Sequence, residues 1–206
     1  MGGASYVATH QRRTVELAQP RSALAFFNDG MLHIWGGLDH ILFLVALLLP
    51  LTLRSRGKLQ YGQILKIVTA FTVAHSVTLI LAVLGWFNPP SRIVEIVIAA
   101  SVLVAALNNL RPMWDERAWI VACGFGLVHG FGFAGPLVDA GLGARDLVPM
   151  LLAFNLGVEA GQLVIVLAAL PLLWLISQTE IPRLRTLQAG SAAIGLMAMI
   201  WLVERL

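Results

Sequence analysis

Six apolar runs, each close to the length of a bilayer crossing, leave this chain of 206 residues few ways to fold. A hydrocarbon core takes about 20 apolar residues per helical crossing, at a rise of about 1.5 Å each. The runs cover residues 31–53, 64–84, 93–110, 118–138, 147–176 and 187–203. Segments rich in charge or turn residues separate them, at 54–58, 88–90, 111–117, 139–146 and 180–185. The runs are continuous and far too long for barrel strands, which excludes a transmembrane β-barrel. The expectation is an all-α polytopic membrane protein, with six transmembrane helices over residues 31–206 behind a polar tail at 1–30. Pro171 is expected to kink the fifth span or end its regular part. The tail has no basic start followed by a 7–15-residue apolar stretch, so it does not read as a secretory signal.

Composition agrees. Apolar residues make up 58% and charged residues 12%, against about 45–50% and 25% in soluble domains. One cysteine excludes a disulfide framework. The net charge of +3 is better read as setting orientation than as binding nucleic acid, so lipid is the expected partner. Eight basic residues lie at the loops after spans one, three and five, against three (Arg92, Arg145 and Arg205) on the other side. The positive-inside rule then puts both termini outside, although Arg12, Arg13 and Arg21 in the tail pull the other way. Three helices followed by three allow an inverted repeat, because an odd number per half reverses direction. Spans one and four both carry His beside glycines, and spans two and five both carry a mid-helix ionisable group, His75 and Glu159. A homo-oligomer is compatible with all of this.

Ionisable side chains at mid-bilayer cost about 2.5–3.5 kcal/mol each on insertion scales, so each calls for a partner or a purpose. The spans hold Asp39, His40, His75, Glu95, His129 and Glu159, with His33 at the entrance of the first. Packing polarity alone would not prefer His and acids over Ser, Thr or Asn. Helical spacing puts Asn155, Glu159 and Gln162 on one stripe, and Thr72 and Ser76 beside His75 on another. With the outside-first orientation, Asp39 and His40 come roughly 13 Å below the start of their span, near the midplane. The densest group is His33-Ile34-Trp35-Gly36-Gly37-Leu38-Asp39-His40. On a regular helix His33 and His40 share a face while Asp39 points away. A turn loosened at Gly36-Gly37 would let all three converge. Imidazole with carboxylate suits a borderline divalent metal such as Ni²⁺, Co²⁺ or Zn²⁺. The blander readings are a helix–helix hydrogen bond for His75 or His129 and an Arg92–Glu95 interfacial ion pair. The candidate metal-handling set is His33, Asp39, His40, His75, His129 and Glu159, supported by Glu95, Asn155, Gln162, Thr72 and Ser76.

The segment from Gly30 to Phe43, with its His, five residues, then Asp-His, resembles the signature of the HupE/UreJ family of hydrogenase and urease accessory membrane proteins. Further blocks resemble it around Phe71–His75–Thr78, Gly126–His129–Gly135 and Phe154–Glu159–Gln162. The resemblance implies a nickel permease, or a cobalt one, in a bacterial inner membrane, feeding metalloenzyme maturation. It maps the family's metal-handling triad onto His33, Asp39 and His40, and its later blocks onto His129 and Glu159. Ile34 stands where the hydrogenase-linked branch commonly has Pro, which points to the family's second branch.

Three functions compete with a secondary metal transporter. An intramembrane zinc hydrolase would use His40, His75 and His129 as ligands. A b-type haem protein would pair His75 with His129. A scaffold subunit would show no metal effect. No Walker A pattern is present, so the chain is not expected to drive transport with ATP itself, and no tightly bound cofactor is expected.

Overall fold

The computed structural model of the chain describes residues 22–54, 60–113, 117–133, 144–179 and 181–206. Every regular element among them is helical: α1 Ala23–Gly36, α2 Leu38–Leu53, α3 Tyr61–Val83, α4 Ser91–Leu110, α5 Ala118–His129, α6 Ala144–Ser177 and α7 Arg183–Arg205. A 3-10 turn, Gly130–Phe133, continues α5. The all-α membrane architecture holds.

The crossings differ in detail from the expectation. Helices α3, α4 and α7, with Leu147–Ser177 of α6, are each long and apolar enough to cross. Helices α1 and α2 make a fifth crossing if the two are taken as one span bent by 70°. The fourth expected run forms only a shorter apolar helix, Ala118–Gly132, and its remainder from 134 lies outside the described residues. Most of the expected tail, residues 1–21, also lies outside them. Its last part is helical: α1 starts at Ala23, where the Ser22 hydroxyl accepts from the Ala25 amide at 3.3 Å as an N-cap. Pro171 does not end α6, which continues to Ser177.

Local chemistry explains the breaks. Two consecutive glycines have the poorest helix propensity after proline, and Gly37 leaves the helix at ψ 97°. A Cβ there would run into the His40 ring nitrogen and come within 3.0 Å of Asp39 Oδ1, so only glycine fits the bend. Asp39 then sits in the first turn of α2, where a carboxylate suits the helix dipole. Helix α3 ends on Gly85 in the left-handed region (φ 73°), with the Trp86 amide donating back to Leu81 at 3.0 Å.

Three close helix pairs build the bundle: α1 with α6, α3 with α5, and α4 with α7, while α2 runs between α4, α6 and α7. Glycines let two of these pairs meet backbone to backbone. In the first, Gly30 of α1 abuts the Phe154 carbonyl, and Gly157 of α6 abuts that of Phe27. In the second, Gly126 of α5 abuts the Phe71 carbonyl of α3. Leucines such as Leu48, Leu79 and Leu187 are buried, while Leu152, Leu167, Leu196 and Val203 are more than half exposed around the perimeter. An apolar outside is what lipid as solvent demands.

A buried cluster of four imidazoles

The kink at Gly37 turns one helical run into two walls of a site. His33 at the end of α1 and His40 at the start of α2 face each other with ring centroids 4.7 Å apart. His75 of α3 approaches His33 at 5.9 Å, and His129 of α5 approaches His40 at 5.1 Å. Four separate helices thus contribute one imidazole each to a continuous string, His75–His33–His40–His129. His75 and His129 are fully buried and His40 nearly so. The expected convergence of His33, Asp39 and His40 through a loosened glycine pair is what the fold delivers.

Phenylalanines line the string. Phe71 packs against both His75 and His129, at 6.0 and 5.2 Å, Phe43 against His129 at 5.4 Å, and Phe154 against His33 at 5.8 Å. Polar partners are sparse. Ser101 Oγ lies 3.0 Å from His129 Nε2. His40 Nε2, both ring nitrogens of His75 and Nδ1 of His129 meet no hydrogen-bond partner among the described residues. A buried polar atom left this way costs about 1–3 kcal/mol, which packing alone does not return. Nitrogen lone pairs held in a dry, aromatic-walled site are suited to a cation that accepts them. Among the described residues, however, no three His, Cys, Asp or Glu side chains form a ready-made metal cage.

Asp39 supplies the negative charge. Its Oδ1 accepts from the His40 amide at 2.9 Å and lies 2.9 Å from His40 Nδ1, while Oδ2 is 3.5 Å from the Arg205 guanidinium. Arg205 also donates to the Glu95 carbonyl at 3.0 Å, and Arg92 donates to the Arg205 carbonyl at 3.1 Å. Arg92 therefore clamps the end of α7, in place of the expected pair with Glu95. These contacts put Asp39 beside the start of α4 and the end of α7. Arg54, at the far end of α2, bonds the Asn109 carbonyl at the end of α4. The carboxylate thus stands toward the Arg92–Arg205 end of the bundle, away from the Arg54–Asn109 end.

The remaining expected site residues group elsewhere. Thr72, Ser76, Asn155 and Glu159 line a separate cleft between α3 and α6. Gln162 reaches Thr72, with 2.6 Å between Oε1 and Oγ1. Glu95 contributes only its backbone carbonyl, as the acceptor for Arg205. Sequence reasoning missed Ser101 and Arg205. Each stands far along the chain from its partner, and neither residue type by itself marks a place beside such a cluster.

The sequence model of the HupE / UreJ protein family matches residues 9–205, nearly the whole chain, and the chain belongs to that family. No curated protein and no solved structure is significantly similar to it.

Proposed function

We propose that this HupE / UreJ family member is a secondary permease for a divalent transition metal, Ni²⁺ or Co²⁺ before others, serving metalloenzyme maturation. The family is associated with nickel or cobalt transport or with accessory function. The observation that carries the proposal is the string of four imidazoles from four helices, with open nitrogens beside one carboxylate. Imidazole nitrogen selects for borderline metals over Mg²⁺ or Ca²⁺. The metal is cargo. Conduction needs sites that bind well enough to admit the ion and weakly enough to release it. Pairs of imidazoles passing an ion along suit that need better than a closed cage, and the three-ligand zinc of a hydrolase is less well served by them.

Two further features support transport. Contacts recur between the halves: Gly30 on the Phe154 carbonyl is matched by Gly126 on that of Phe71, and the His33–Phe154 ring contact by His129–Phe71. That exchange, α1 with α6 against α5 with α3, is what a 3+3 inverted repeat produces, and such repeats place substrate between the halves. Arg205 stands where an entering cation would meet Asp39. With the termini on the outer face of a bacterial inner membrane, the ion enters from outside by displacing that guanidinium.

The test is uptake into proteoliposomes against a panel of divalent ions. Arg205→Gln is expected to lower the half-saturating Ni²⁺ or Co²⁺ concentration about two- to fivefold, the size of a partly exposed ion pair, and Arg205→Lys to behave as the native chain. A native protein that moves none of the ions contradicts the proposal. An unchanged or raised half-saturation in Arg205→Gln removes the entry step.

A further inference from the structure

The cleft between α3 and α6 holds a chemistry unlike that of the imidazole string. Its volume is about 220 Å³, and its polar side chains are hydroxyls, one amide and one carboxylate: Thr69, Thr72 and Ser76 from α3, Asn155 and Glu159 from α6. Ser76 Oγ donates to the Thr72 carbonyl at 2.7 Å, which leaves its lone pairs for another partner. Asn155 is 8% exposed; its amide nitrogen donates to the Leu151 carbonyl at 2.9 Å, and its Oδ1 meets no partner among the described residues. Glu159 is the one ionisable side chain in the lining.

The two walls correspond position by position. Each α3 residue of the lining has its counterpart in α6 at a constant offset of 83 in the numbering, Thr72 with Asn155, Val73 with Leu156 and Ser76 with Glu159. The local bonds correspond as well: Thr72 Oγ1 and Asn155 Nδ2 each reach the carbonyl four residues back, at 3.1 and 2.9 Å. The cleft is therefore where an inverted repeat of the two halves would place its axis. At its rim Val73 and Leu156 are more than half exposed on the apolar perimeter. An uncompensated carboxylate in such a place costs about 2.5–3.5 kcal/mol. A bound cation removes that cost.

We propose that this cleft is a second cation site, specific for Na⁺, with Glu159 supplying the charge and Thr72, Ser76 and Asn155 the neutral oxygens. One carboxylate balances one positive charge. A proton would need the carboxylate alone, whereas an open amide oxygen and two hydroxyls around a cleft of this size replace the water shell of a small hard ion. Oxygen donors without nitrogen or sulfur disfavour the transition metals that the imidazoles favour. The site's role as a coupling site for metal movement rests on the permease proposal, while the site itself does not.

Dicyclohexylcarbodiimide, which labels protonated carboxyl groups within membranes, separates the two. In vesicles of the full chain kept free of transition metals, Glu159 is expected to be labelled in K⁺ buffer and protected at least about tenfold by Na⁺ at equal ionic strength, a difference of about 1.4 kcal/mol. Asn155→Ala and Ser76→Ala are expected to keep the labelling and lose most of the Na⁺ protection. Glu159→Gln is the control that assigns the labelled position. Equal labelling in Na⁺ and K⁺, no labelling of Glu159 in either, or full protection in Asn155→Ala overturns the site. None of these readouts depends on whether the protein carries a transition metal.

Discussion

Asp39→Asn is expected to weaken Ni²⁺ or Co²⁺ binding roughly 10–100-fold, the usual cost of losing a carboxylate that supports a metal-binding histidine. The change is isosteric. The asparagine side-chain oxygen can still accept from the His40 amide, so the start of α2 and the bend at Gly37 are kept. What disappears is the negative charge 2.9 Å from His40 Nδ1, in a region where the other donors are imidazoles. A divalent ion arriving there would bring two charges into a dry site with nothing to balance them. Isothermal titration on the purified protein measures the loss, and uptake should fall with it. Native affinity in Asp39→Asn would show that the carboxylate only caps α2.

The second large effect concerns the backbone contact that holds α5 against α3. A Cβ on Gly126 would collide with the Phe71 carbonyl and come within 3.0 Å of Ala74 Cβ. Backbone cannot rotate away as a side chain can, so Gly126→Val must push the helices apart. The expected cost is about 1–3 kcal/mol or more, as for overpacking a tight core. The displacement also carries His129 away from His40 and Phe71. Gly124 has open space around its Cβ position, so Gly124→Ala should be neutral or stabilising by up to about 1 kcal/mol. Thermal unfolding in detergent distinguishes them. Equal melting temperatures for the two variants would mean that the close approach carries no weight.

Much of this was legible in the sequence, for physical reasons that also mark where legibility ends. Hydrocarbon length fixes the spans, so α3, α4, α6 and α7 fall where the apolar runs do. The glycine pair foretold the break that joins His33 to His40, because propensity acts locally. Helix α1 starts well before the first apolar run, since Ala23–Phe27 gains from packing on α6 what its flanking polar residues lose. Periodicity places residues on a face of their own helix but is silent on how that helix is turned toward its neighbours. Glu159 therefore read as one more member of the metal-handling set, whereas the rotation of α6 puts it in the cleft with Thr72, Ser76 and Asn155. Arg205 was out of reach for a different reason: its partner Asp39 is almost the whole chain away.

The most direct measurement is the anomalous scattering of crystals of the full chain grown with Co²⁺ or Ni²⁺, collected at the absorption edge of the metal. A peak within the His75–His33–His40–His129 string, weakened or lost in His40→Ala, is the predicted result. A peak only at the protein surface, or one within the bundle that His40→Ala leaves unchanged, would contradict the claim that these imidazoles handle the cargo.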